Sequence, residues 1–89
     1  MRFVGRSELM RVTVYGKPGC HLCEEVMPVI ERLRGEYGFV LEEIDVTRDA
    51  ELQERYRYQI PVICVDGREA FRYRVDEQEF MRLLDEARR

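Results

Sequence analysis

The 89-residue chain reads as a single α/β domain in the order βαβαββα, a four-stranded mixed sheet flanked by helices. Three observations predict this. A β-branched alternating run gives way to a helical apolar period at residue 20, an almost wholly apolar run spans 61–65, and an Asp-Gly turn follows that run directly. With 45% apolar residues and no low-complexity stretch, the chain holds material for one core.

Met10 to Tyr15 sets Met10, Val12 and Val14 on one side, the pattern of a strand, and Gly16, Pro18 and Gly19 end it. From Cys20 to about Arg34, Leu22, Val26, Ile30 and Leu33 recur at helical spacing, with Glu24, Glu25, Glu31 and Arg32 left for the wet side. Pro28 inside this helix removes one backbone bond and predicts a kink rather than chemistry. Gly35 and Gly38 punctuate the exit, and Phe39 to Val46 reads as a second strand that leaves Glu42 and Glu43 exposed. Asp49 suits the cap of a short helix through Tyr58, with Ala50, Leu52 and Tyr56 as its inner face. Pro61 to Val65 fits a strand buried on both sides, and Asp66-Gly67 turns the chain into a partner strand, Glu69 to Arg74. Asp76 and Glu79 form a D-x-x-E variant of the capping box, with Val75 set to staple onto Phe80; Phe80, Leu83, Leu84 and Ala87 make the stripe of the last helix. The first two strands, joined through a helix, are expected to be parallel with a right-handed crossover, and the hairpin adds an antiparallel half.

Fifteen basic against eighteen acidic residues leave a net charge of -3, which gives no global field for nucleic acid or for an anionic membrane. No window of apolar residues is long enough to span a bilayer. Residues 1–9 are expected to be a flexible extension to a single domain at 10–89. They are broken by Arg2, Gly5, Arg6 and Glu8 and so form no apolar signal core, and Met10 is an alternative start. The expectation is a cytoplasmic monomer. Three cysteines, two of them only three positions apart, are a poor disulfide framework and point to catalysis or metal. Cys64 sits in the apolar run and reads as a buried thiol. A zinc or iron–sulfur site built from Cys20, His21, Cys23 and Cys64 lacks the second ligand pair such sites use, so no metal is expected.

Chemistry concentrates at Lys17-Pro18-Gly19-Cys20-His21-Leu22-Cys23, where the first strand ends and the first helix begins. A helix start offers unpaired N–H groups and a partial positive charge, both favouring a thiolate over a thiol. Cys20, at the first exposed turn, is expected to attack a disulfide; Cys23, a helical turn further on, is near enough to displace the mixed disulfide. His21 between them supplies an imidazolium that tunes the thiolate.

Tyr15-Gly16-Lys17-Pro18-Gly19 runs into Cys20-His21-Leu22-Cys23, Pro28 falls five residues after the second cysteine, and Ile60-Pro61-Val62 opens the third strand. On these motifs and the element order, residues 10–88 resemble the glutaredoxin branch of the thioredoxin superfamily. The resemblance implies a thioredoxin-like fold and a thiol-disulfide oxidoreductase that reduces protein or small-molecule disulfides, with no bound cofactor. It implies that Lys17, the only lysine, favours the thiolate and contacts a carboxylate of glutathione. It makes Pro61 a cis-proline facing the cysteine pair and turns the Ile60 backbone outward to pair with an extended substrate. Glutathione-using relatives carry Gly-Gly before the last helix; here stands Tyr73-Arg74-Val75-Asp76, and only Asp76 survives as a contact for the γ-glutamyl end. Gln59-Ile60-Pro61 and Phe71-Arg72 look like redoxins reduced by thioredoxin reductase, so glutathione and thioredoxin reductase are both expected reductants. A noncatalytic binding module on the same fold is the competing class. Arg55-Tyr56-Arg57-Tyr58 and Arg72-Tyr73-Arg74 are expected to flank the cysteine edge as a basic rim for an acidic peptide or for glutathione carboxylates.

Overall fold

The computed structural model describes residues 10–88; the expected extension at 1–9 lies outside them. β1 (Arg11–Gly16) leads into α1 (His21–Tyr37), β2 (Val40–Asp45), a 3₁₀ turn (Val46–Arg48), α2 (Ala50–Tyr56), β3 (Val62–Val65), β4 (Arg68–Arg72) and α3 (Glu77–Ala87). The strands lie in the order β2-β1-β3-β4, with β1 parallel to β2 and antiparallel to β3, and β3 antiparallel to β4. This is the predicted α/β, thioredoxin-like arrangement.

Alternation along β1 decides where the core lies. Val12 and Val14 join Ile63 and Val65 of β3, Val26, Ile30 and Leu33 of α1, and Phe80 and Leu84 of α3 in one buried cluster. Ile30, Leu33, Phe80 and Leu84 are wholly sealed from solvent, each contributing about 1.5–3 kcal/mol by leaving water. The opposite face, carrying Thr13 and Tyr15, meets α2 through Tyr56, whose ring centroid lies 4.8 Å from that of Tyr15.

Several elements differ in detail from the sequence reading. α1 runs through both Pro28 and Gly35 and stops only at Gly38, whose left-handed backbone (φ 76°) lets its N–H reach the Arg34 carbonyl at 2.7 Å. α2 has no fully buried residue, and Ala50 is exposed. The apolar anchor there is Val46, seated by the 3₁₀ turn that Asp45 closes by accepting the Thr47 N–H at 2.9 Å. β4 ends at Arg72 because Tyr73 takes a positive φ of 68° and leaves the ladder. The Asp66-Gly67 turn forms as expected, with φ of 49° and 85°, the pair a two-residue I′ turn demands. The capping box of α3 is half made. Asp76 accepts the Glu79 N–H at 3.1 Å, but the Glu79 carboxylate is engaged by Arg82 at 2.6 Å.

Candidate active site

Strand register gathers the candidate residues at one edge. Gly16 pairs with Asp45, Tyr15 with Val62, and Val62 with Arg72, so the exits of β1, β2 and β4 share an edge with the entry to β3. The loop Lys17–Gly19 and the Ile60–Pro61 peptide therefore leave the sheet on the same side. Gly19, at φ 78°, turns that loop into the helix.

Cys20 is the N-cap of α1, with extended backbone angles of φ -89° and ψ 110°. Its Sγ accepts the Cys23 N–H at 3.1 Å and its carbonyl accepts the Glu24 N–H at 3.0 Å. The Cys20 and Cys23 sulfurs are within disulfide-bonding distance, with Cα atoms 5.2 Å apart, inside the range a disulfide spans. Both cysteines are half-buried, whereas Lys17 and His21 are exposed on either side of Cys20.

The Ile60–Pro61 bond is cis, as the resemblance implied, and both residues are buried. Among the described residues, neither the N–H nor the carbonyl of Ile60 is hydrogen-bonded. The Pro61 carbonyl accepts the Tyr73 N–H at 2.8 Å, and the Tyr73 hydroxyl donates to the Tyr58 carbonyl at 2.9 Å. The segment before α3 is thus tied across the cis-proline turn. Asp76 stands at the end of this segment, exposed and occupied as the N-cap of α3.

Comparison with known proteins agrees with this geometry. Residues 11–85 match the family model described as Glutaredoxin-like domain (DUF836). The chain belongs to that glutaredoxin-like family. A "Glutaredoxin-like protein" homolog from Dictyostelium discoideum is 26% identical over 84 residues, covering 88% of this chain and 78% of that protein. An uncharacterized protein of Mycobacterium tuberculosis is 32% identical over 72 residues, 75% of this chain and 74% of the relative. Among solved structures, the solution structure of protein Ne2328 from Nitrosomonas europaea superposes with a TM-score of 0.75 at 28% identity, covering 91% of this chain and 98% of that one. The thioredoxin of Halobacterium salinarum, at 20% identity and a TM-score of 0.68 over 90% of this chain and 75% of its own, shares the fold.

Two features of this glutaredoxin-like site lay outside the sequence reading. A Cβ on Gly16 would lie 3.0 Å from Cys23 Sγ and 3.4 Å from its Cβ, so the missing side chain makes room for the second sulfur. The available signal was a glycine at the very end of β1, next to the motif. On the β2 side of Cys23, a cleft of about 340 Å³ is lined by Lys17, Glu24, Met27, Glu43 and Asp45. Hydrogen bonds from Thr47 hold the Asp45 carboxyl below its ordinary range.

The expected basic rim is only partly assembled. Arg72 pairs with Glu69, and Arg55 lies over Tyr56, on the α2 face of the sheet. Arg57 and Arg74 are exposed beside the cis-proline turn, and among the described residues neither forms an ion pair. Cys64 is buried in β3 opposite Thr13 and Glu69, and burial, with the Glu69 charge adding, pushes its thiol up. No group of three or more His, Cys, Asp or Glu side chains among the described residues is arranged to hold a metal, and none of their helices is long and apolar enough to cross a membrane.

Proposed function

We propose that this chain is a dithiol-disulfide oxidoreductase of glutaredoxin type. One observation carries the reading: Cys20 caps α1 with its sulfur on the Cys23 amide, and Cys23 lies within bonding distance of it. In the reduced protein the same amide, with the positive end of α1 behind it, faces a thiolate. That thiolate attacks one sulfur of a substrate disulfide R–S–S–R′, forming Cys20–S–S–R and expelling R′S⁻. Cys23, deprotonated, then attacks the Cys20 sulfur, the mixed bond breaks, RS⁻ leaves, and the Cys20–Cys23 disulfide has delivered two electrons. Glutathione or thioredoxin reductase returns them in a reducing compartment such as the cytoplasm.

The surroundings divide the labour. Lys17 brings positive charge to the loop before Cys20, His21 lies exposed directly after it, and the unpaired backbone of Ile60 offers an extended substrate one strand-like contact. Asp76 is committed to its helix, and Tyr73 fills a position where glutathione-using relatives carry glycine. Both features support thioredoxin reductase over glutathione as the electron donor.

The test is reduction of hydroxyethyl disulfide, with glutathione in one arm and thioredoxin reductase in the other. Turnover with thioredoxin reductase that disappears in Cys20→Ser is expected. Stoichiometric partner binding with no exchange in either arm would instead establish the noncatalytic module.

A further inference from the structure

Among the described residues, six of the eleven arginines are paired within the fold. Arg11, Arg32, Arg34, Arg72, Arg82 and Arg88 each meet a carboxylate. Arg48, Arg55, Arg57, Arg68 and Arg74 meet none among the described residues, and of these Arg57 and Arg74 stand beside the cis-proline turn at the active edge. They are linked there through two tyrosines. The Arg57 guanidinium lies 4.8 Å from the Tyr58 ring centroid, the Tyr58 carbonyl holds the Tyr73 hydroxyl, and Arg74 follows Tyr73. Tyr58 is 77% exposed and Tyr73 43%, two of three large apolar side chains so exposed among the described residues. The Tyr73 N–H is bonded to the Pro61 carbonyl, so this ledge of two rings and two guanidinium groups without carboxylate partners among the described residues adjoins the open backbone of Ile60.

Exposed rings beside unpaired guanidinium groups are recognition surface rather than scaffold. The opposite flank of Cys23, where Glu24, Glu43 and Asp45 outnumber Lys17, disfavours the same ligand, so the charge asymmetry also sets a direction. Resting on the oxidoreductase reading above, we propose that the Arg57-Tyr58-Tyr73-Arg74 ledge docks an extended, acidic segment of a protein substrate next to its disulfide. Ile60 pairs with the segment's backbone, the tyrosine rings take its apolar side chains, and Arg57 and Arg74 take its carboxylates. A protein segment fits better than a small thiol because the ledge offers ring surface and a backbone edge in addition to charge.

The experiment compares two disulfide-linked peptides of the same length, one with Asp and Glu flanking the cysteine and one with Asn and Gln. Oxidised glutathione and hydroxyethyl disulfide serve as small substrates. The wild-type protein is expected to reduce the acidic peptide with kcat/KM about tenfold higher, a preference that shrinks with added salt. Arg57→Gln/Arg74→Gln should raise KM for the acidic peptide and erase the preference, and Arg57→Lys/Arg74→Lys should restore most of it. Equal rates for the two peptides in the wild-type protein overturn the proposal, as does oxidised glutathione matching the acidic peptide in rate and in sensitivity to both substitutions. Failure to reduce even hydroxyethyl disulfide sinks the oxidoreductase reading itself, and the docking proposal with it.

Discussion

The start of α1 and the start of α3 are built alike. The backbone at Cys20 has φ -89° and ψ 110°, that at Asp76 φ -93° and ψ 112°. Each side chain accepts the N–H three residues ahead, and each does so at 3.1 Å. At α3 the acceptor is a carboxylate, whose charge the helix N-terminus favours. At α1 it is a sulfur. The fold thus gives Cys20 the environment it elsewhere gives an anion, and the proposed exchange chemistry uses that environment to favour a thiolate at a reduced Cys20. Cys64 shows the converse: the same side chain in the middle of a strand, sealed from water and facing Glu69, is driven toward the neutral thiol.

Substitution at residue 20 separates cap from nucleophile and carries the largest effect. Cys20→Ser keeps a good capping oxygen, so the melting temperature should stay near that of the reduced wild-type protein while disulfide exchange is abolished. Cys20→Ala should lose exchange and also about 1 kcal/mol of stability, measurable by denaturant unfolding under reducing conditions. Equal stability of the two variants would mean that residue 20 is not acting as a cap.

A second, smaller effect is expected at Gly16. In the disulfide Cys23 Sγ is held in place, whereas in the dithiol it is free to rotate away from a new methyl group. Gly16→Ala should therefore disfavour the oxidised form about tenfold, raising the potential by about 30 mV against a thiol redox buffer. An unshifted potential would show that the close approach has no bearing on the couple.

At α3, Asp76→Ala is expected to cost about 1 kcal/mol, a fall of about 4–8 °C in melting temperature, and Asp76→Asn should recover it. Least of all is the acid effect. Asp45, capping the 3₁₀ turn with φ -86° and ψ 109°, and Glu79, held by Arg82, both have lowered carboxyl pKa values. The unfolded chain binds their protons first as pH falls, so their stabilisation is present above the ordinary carboxylate range and fades as pH drops through and below it. Acid unfolding of Asp45→Asn should show a shallower slope in that window.

What could be read from the residues was what local chemistry decides. The Asp76 cap of α3, the Asp66-Gly67 turn and the cysteine pair at a strand-to-helix junction each depend on a few adjacent side chains. The parallel pairing of β1 and β2 followed from the helix that joins them. What escaped depends on distant partners. Gly16 matters because Cys23 returns over it. The departure of Tyr73 from β4 depends on bonds to Pro61 and Tyr58, and the loss of Arg72 from the rim follows from Glu69 claiming it. The full length of α1 was obscured because Gly35 looks like a stop signal, whereas the left-handed residue is Gly38.

The most direct test is the pH dependence of alkylation of the reduced protein, with each cysteine followed separately by mass spectrometry. Cys20 is expected to react first, at half-maximal rate clearly below the free-thiol pKa of ~8.5, while Cys64 stays unmodified until the protein is unfolded. Prior labelling of Cys23 or Cys64, or a Cys20 that titrates like a free thiol, would contradict it.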